Sequence, residues 1–128
     1  VSKTIRTLRE KNKLNKFHFY KNFPPDKYLV LINNCKCLVG NSSSGLREGA
    51  FLGIPVVNVG NRQINRESSC NVLNIKDGSK RIFEGILAQI NHGKYPPSFH
   101  LGEGNAGAKM LKILEKIDLP KSQKKLHL

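Results

Sequence analysis

Residues 40–48, Gly-Asn-Ser-Ser-Ser-Gly-Leu-Arg-Glu, are the stretch of this 128-residue chain best composed for chemistry. Ser42, Ser43 and Ser44 lie between Gly40 and Gly45, directly after the run Cys-Lys-Cys-Leu-Val. A strand that stops at a glycine and turns through small residues into a helix presents free backbone N–H groups to an anion. The helix dipole adds partial positive charge there, and the serine hydroxyls add donors. Such a loop suits a diphosphate. Glu48, expected one turn into the helix, sits near the same mouth; a carboxylate repels phosphate but accepts two hydrogen bonds from ribose hydroxyls. Together these parts describe a nucleotide site at the carboxyl ends of parallel strands. The stretch is neither a Walker loop, since no Gly-Lys-Ser/Thr follows, nor a G-x-G-x-x-G turn. A serine-rich turn of this kind also serves simply as a capping loop.

The flanking sequence supplies the elements that such a loop requires. Ile5 and Leu8 among basic residues read as the end of an amphipathic helix. Residues 16–20 (KFHFY) alternate and read as a short strand, and Asp26, after Pro24 and Pro25, caps a helix with Tyr28, Leu29 and Ile32 inside. Residues 35–40 read as a buried strand, Leu46 to Leu52 as a short helix, and 54–60 (IPVVNVG) as the next strand. After a polar loop over 61–71, residues 72–75 (VLNI) form a further strand. Asp77 or Ser79 caps a helix with Ile82, Phe83, Ile86, Leu87 and Ile90 on its inner side. Residues 105–118 form a last helix with Ala108, Leu111, Ile113 and Leu114 inside. Strands alternating with helices over short loops give an α/β, Rossmann-like parallel sheet with flanking helices. About four strands are too few for a complete doubly wound domain, so residues 1–119 read as an incomplete Rossmann-like domain and 120–128 as a basic tail or linker. A chain that opens on Val1 inside a helical pattern reads as a piece of something longer.

Composition narrows the class. The net charge of +13 asks for a polyanionic partner, yet the cations gather toward the ends: eight against two acids in residues 1–27, and six against two in 109–128. No nucleic-acid module with interleaved aromatics is present, and no apolar run approaches the roughly 18 residues of a membrane span. Cys35, Cys37 and Cys70 are three, without a second pair to complete a zinc site. They read as reduced thiols of a cytoplasmic protein, with Cys35 and Cys37 on one buried strand face. No metal or cofactor is called for, and His18, His92, His100 and His127 read as surface or core residues.

The stretch GNSSSGLREGAFLGIPVVNVGNRQINRE resembles the nucleotide-binding region of hydrolysing UDP-N-acetylglucosamine 2-epimerases, in the pattern G-N-S-S-x-G-x-x-E followed by G-x-P-x-x-N-x-G-x-R-Q-x-x-R. Residues 94–119 resemble the end of the same domain, although Phe99-His100-Leu101-Gly102-Glu103 stands where a Y-G-D turn is usual. Within the family the likeness is strongest to the epimerase part of bifunctional epimerase/N-acetylmannosamine kinases, and it covers residues from about 17 to 119. The resemblance implies a glycosyltransferase-B-like pair of Rossmann-like domains facing a cleft, this chain forming most of the second.

The resemblance also implies roles. Ser42 and Ser43 would hold the diphosphate of UDP, Glu48 the ribose hydroxyls, and Arg62 would line the UDP pocket. Ser44, Gly45, Gln63 and Arg66 belong to the same pocket signature. Arg6 and Arg9 resemble an R-x-x-R pair near the region where CMP-sialic acid inhibits the sialic acid enzymes; a solvated helix face is the plainer reading of that pair. The implied reaction eliminates UDP from UDP-N-acetylglucosamine and hydrates the resulting glucal to N-acetylmannosamine, for sialic acid synthesis. Catalytic acid/base groups would lie in the first domain, so none is assigned here, and the isolated chain is expected to be inactive. The full-length protein is expected to be a homo-oligomer. Two other readings stand beside this one: a UDP-sugar glycosyltransferase domain of the same architecture, and a basic, non-catalytic anion-binding module.

Overall fold

The computed structural model describes residues 16–117, together with Lys3, Arg6, Thr7 and Glu10. The chain falls into two units, Val1–Leu31 and Ile32–Leu128. In the first unit the four isolated residues are helical; Ile5 and Leu8, which suggested that helix, lie outside the described residues. The strand expected over 16–20 is absent among the described residues, and Phe17, Phe19 and Tyr20 are exposed. Alternation does not make a strand without a neighbouring ladder to take its backbone groups. Tyr20 instead packs its ring against Phe23, with centroids 4.6 Å apart.

Helix α1 runs from Pro25 to Asn34. Pro25 takes the first helical position, where its missing N–H is no loss, and the Tyr28 N–H closes the first turn on the Pro24 carbonyl at 2.9 Å. Asp26 therefore lies inside the first turn rather than capping it, where its carboxylate still complements the dipole. Of its expected apolar face, Ile32 is buried, Tyr28 half-buried and Leu29 exposed.

The second unit is built on three parallel strands in the order β1-β2-β3: β1 (Leu38–Gly40), β2 (Val56–Val59) and β3 (Val72–Ile75). Leu38 pairs with Val56, and Gly40, Asn58 and Asn74 form one row across the carboxyl end. Helices α2 (Glu48–Phe51), α3 (Ser79–His92) and α4 (Ala106–Leu114) alternate with or follow the strands. This is an α/β, Rossmann-like sheet with flanking helices. Its core is Ile32, Leu46, Ala50, Ile54, Val56 and Val57. β2 is buried on both faces, which Val56, Val57 and Val59 suit, and Asn58 is buried with them. The strand expected over 35–40 shortens to its last three residues. With one neighbour it leaves Val39 44% exposed, and Cys35 and Cys37 are half-buried ahead of it.

A buried carboxamide ties the amino-terminal edge of this sheet together. Gln89 Nε2 donates to the Val56 carbonyl at 2.8 Å and the Asn71 carbonyl at 3.1 Å, while its Oε1 accepts the Tyr95 hydroxyl at 2.7 Å. Asn71 Nδ2 donates to the Ile54 carbonyl at 2.8 Å. This reorients α3 relative to the apolar stripe in its sequence. Gly85 and Gln89 face the sheet with Ile82 and Ile86 beside them, whereas Phe83, Leu87 and Ile90 are exposed. At Gly85 an added Cβ would lie 2.4 Å from Ile75 Cδ1, so glycine permits the close approach. The residue before α3 is Gly78, at φ 94 with no side-chain cap; Asp77 pairs instead with Arg81, and Ser79 starts the helix. Helix α4 is shorter than expected and buries none of its residues: Leu111, Ile113 and Leu114 are exposed. Among the described residues no helix is long and apolar enough to cross a membrane.

The segment after α3 runs back along the end of α2. The Tyr95 N–H donates to the Gly53 carbonyl at 2.8 Å and the Ser98 N–H to the Ala50 carbonyl at 3.0 Å. Gly53 sits at φ +65, and a Cβ there would fall 2.0 Å from the Tyr95 carbonyl oxygen. Gly93, at φ +76, has open space around it. Gly53→Ala should therefore cost about 2–4 kcal/mol, from the left-handed backbone plus displacement of the strap, and Gly93→Ala about 1 kcal/mol from the backbone alone. Urea unfolding of both variants checks this; equal losses would show that the strap contact contributes nothing.

Candidate functional site

The serine loop leaves β1 at Gly40 and tightens into α2 through a graded series of carbonyl contacts. Ser42 O accepts from Gly45 N at 3.3 Å, Ser43 O from Leu46 N and Arg47 N at 3.1 and 3.0 Å, and Ser44 O from Gly49 N at 2.8 Å. The last spans five residues, so the turn widens before α2 begins. The expected helix over 46–52 is accordingly four residues long, and Glu48 opens it rather than standing one turn inside. Ser42 Oγ accepts the Ser44 N–H at 3.3 Å, a local turn that serine favours. The loop and the start of α2 can lie directly on β2 because Gly45 and Gly49 lack a side chain. A Cβ on Gly45 would sit 2.8 Å from Val56 Cγ1, and one on Gly49 3.3 Å from Val56 Cγ2.

The loop that follows β2 meets the serine loop at one point. Gln63 is 5% exposed, and its Nε2 donates to the Asn41 carbonyl at 2.7 Å. Its Oε1 is buried and has no partner among the described residues. In the row across the sheet end, Asn58 Nδ2 donates to Asn74 Oδ1 at 2.7 Å.

Two cavities adjoin these loops. One, of about 340 Å³, is lined by Ser43, Leu46, Arg47, Arg66, Glu67 and Leu101. Its serine hydroxyl and two guanidinium groups suit an anion, and Glu67 offsets part of that charge at the same wall. The other, of about 400 Å³, lies at the ends of β2 and β3 and includes Gln63, Asn65, Arg66, Asn74 and Lys76. Leu46 and Arg66 line both.

Of the residues singled out in the sequence, the fold brings Ser43 and Arg66 to the first cavity, and Gln63 and Arg66 to the second. Ser42 and Ser44 belong to the loop but line neither cavity; Gly45 is buried against Val56. Glu48 is half-buried and Arg62 exposed, and both lie outside the two cavities. Arg6, in the other unit, is exposed with Nε 3.9 Å from Glu10; Arg9 lies outside the described residues. Arg47, Glu67 and Leu101 were not picked out as lining residues. Arg47 read equally well as an exposed helix position, and Leu101 belongs to the segment that departs from the Y-G-D turn.

The remaining reactive side chains stand apart from this region. The His92 ring stacks on Tyr95 with centroids 3.8 Å apart, and His100 Nδ1 lies 2.8 Å from Ser98 Oγ. No cluster of three metal-ligating side chains exists among the described residues. Burial pushes the thiols of Cys35 and Cys37 above the ordinary cysteine range, whereas Cys70 is exposed.

Comparison with known proteins bears on this arrangement. Residues 1–115 match the family model described as UDP-N-acetylglucosamine 2-epimerase. A Neisseria meningitidis serogroup B protein named UDP-N-acetylglucosamine 2-epimerase is 30% identical over 108 residues, covering 84% of this chain and 29% of its own length. A Legionella pneumophila UDP-N,N'-diacetylbacillosamine 2-epimerase (hydrolyzing) is 33% identical over 93 residues, covering 73% of this chain and 25% of its own. An Escherichia coli polysialic acid biosynthesis protein P7 is 34% identical over 71 residues, covering 56% and 18%. The chain thus spans less than a third of the length of the curated relatives it matches.

The thiols give a direct check on this part of the structure. Raised pKa values leave Cys35 and Cys37 less thiolate at mildly alkaline pH, so iodoacetamide should alkylate Cys70 first. Mass spectrometry of a time course reads the order; equal rates at all three would contradict the burial of Cys35 and Cys37.

Proposed function

Because the chain belongs to the UDP-N-acetylglucosamine 2-epimerase family, we propose that it forms the UDP-binding part of a hydrolysing enzyme that converts UDP-N-acetylglucosamine to N-acetylmannosamine and UDP. The observation that carries this reading is the serine loop at the carboxyl end of β1, with Ser43, Arg47 and Arg66 around one cavity. Open α/β sheets take their ligands at that end. Ser42 and Ser43 bind the diphosphate, with Arg66 on the wall of the cavity that Ser43 lines. Glu48 accepts the ribose hydroxyls, and Arg62 reaches the nucleotide from the loop after β2. In the elimination the bond from C1 to the diphosphate oxygen breaks as a proton leaves C2. Fixed donors here stabilise the charge gathering on the departing diphosphate. Water then adds to the glucal. The groups that move those protons belong to a first Rossmann-like domain outside these residues, and the small share of each relative that the chain spans supports this division. The name of the Legionella relative favours the hydrolysing outcome, and that of the Escherichia coli relative a role in sialic acid supply.

The same reading makes Arg6 and Arg9 a regulatory site for the end product, CMP-sialic acid. Arg6→Leu in the full-length enzyme should raise the half-inhibitory concentration of CMP-sialic acid several-fold and leave turnover intact. Unchanged inhibition would leave Arg6 as a solvated residue paired with Glu10.

The nucleotide assignment is tested by ligand choice. Hydrogen bonds to charged groups are worth about 1.5–3 kcal/mol, so Glu48→Gln should weaken UDP by about one to two decades in the full-length enzyme. A UDP analogue lacking both ribose hydroxyls should bind weakly and ignore that substitution, whereas Ser43→Ala should weaken both ligands alike. Isothermal titration of the wild type and both variants with each ligand reads these affinities. Equal losses on both ligands for Glu48→Gln would assign Glu48 to the fold and not to the ribose.

A further inference from the structure

The peptide between Asn41 and Ser42 is held on one side and open on the other. It lies just beyond the last ladder residue of β1, Gly40, so strand pairing does not fix it. Its carbonyl oxygen accepts Gln63 Nε2 at 2.7 Å. A trans peptide is planar, with C=O and N–H pointing in opposite directions. Fixing the Asn41 carbonyl toward Gln63 therefore aims the Ser42 N–H away from it, and that N–H meets no acceptor among the described residues. Gln63 is well placed to enforce this, because it is buried and its own turn closes on itself: the Arg66 N–H donates to the Gln63 carbonyl at 3.3 Å. Asn65 completes that turn at φ 65. One four-residue turn thus sends Gln63 inward to the serine loop and sets Arg66 on the wall of the cavity that Ser43 also lines.

We propose that Gln63 is the positioning residue of the serine loop, holding the Asn41–Ser42 peptide in the orientation that offers the Ser42 N–H to a nucleoside diphosphate. The inference rests on the nucleotide reading above and goes beyond it. The donor state of the loop after β1 is set by the loop after β2. Without the Gln63 donor the peptide is free to turn over, and a carbonyl oxygen would then face the diphosphate where an N–H should.

Two substitutions in the full-length enzyme separate this role from mere packing. Gln63→Met keeps the volume and removes the donor. Gln63→Glu places a carboxylate against the Asn41 carbonyl and attracts the Ser42 N–H, so it favours the inverted peptide. At about pH 7.5 both should weaken UDP roughly tenfold or more, Gln63→Glu the more strongly. Burial raises a carboxyl pKa, so acidification to about pH 5.5 returns a proton that can be donated to the Asn41 carbonyl. The affinity of Gln63→Glu, relative to wild type at the same pH, should then recover, while that of Gln63→Met should not. Isothermal titration across pH reads the affinities, and thermal unfolding confirms that each variant is folded. Wild-type UDP binding by either variant, or a loss in Gln63→Glu that acid does not restore, overturns the inference and leaves the nucleotide reading standing. Absence of UDP binding by the wild type overturns both.

Discussion

Parallel pairing of β1 on β2 decides most of what this chain can present to a ligand. Strands that run the same way release their following loops at the same edge, so residues 41–47 and 60–66 emerge side by side although they are far apart in sequence. The register Gly40–Asn58–Asn74 keeps that edge level. β2 anchors the arrangement: it has a neighbour on each side, and Val57 and the preceding Ile54 are fully inaccessible. Moving either outer strand by one residue would reverse its faces and separate the loops.

The two edges of the sheet are finished differently. At the amino-terminal edge, the side-chain amide group of Gln89 is used at both ends, binding two backbone carbonyls and the Tyr95 hydroxyl. At the carboxyl edge, the side chains of Gln63 and Asn58 each make one hydrogen bond, Gln63 to the Asn41 carbonyl and Asn58 to Asn74. The carboxyl edge also carries Arg66 and Lys76 with the amides. It is the edge where a bound anion would find donors already in place.

A parallel sheet of this kind hosts many chemistries, so the fold by itself names none. Family membership supplies the class, and the loops supply the means. The relatives are named for 2-epimerases acting on different nucleotide sugars.

Much of this was legible in the order of residues. A β-branched run ending at Gly60 located β2, a short run after a polar loop located β3, and the row of serines between glycines marked the loop, because those signals are local. The family pattern, too, is a matter of residue types at fixed spacing. The amphipathic stripe of α3 misled, since burial there is set by how closely the helix can approach β3: Gly85 and Gln89 fit that approach, and Phe83 does not. The alternating run at 16–20 lacked a partner strand, which no local pattern can supply. Gln63 was visible as part of a signature, but its partner, the Asn41 carbonyl, was not. A backbone oxygen has no sequence identity, and two loops 22 residues apart meet because parallel strands deliver them to one edge. The chain's own order thus determined which groups were available. The tertiary structure decided which of them face each other, because hydrogen bonds between loops depend on register and approach, and those are properties of the assembled sheet.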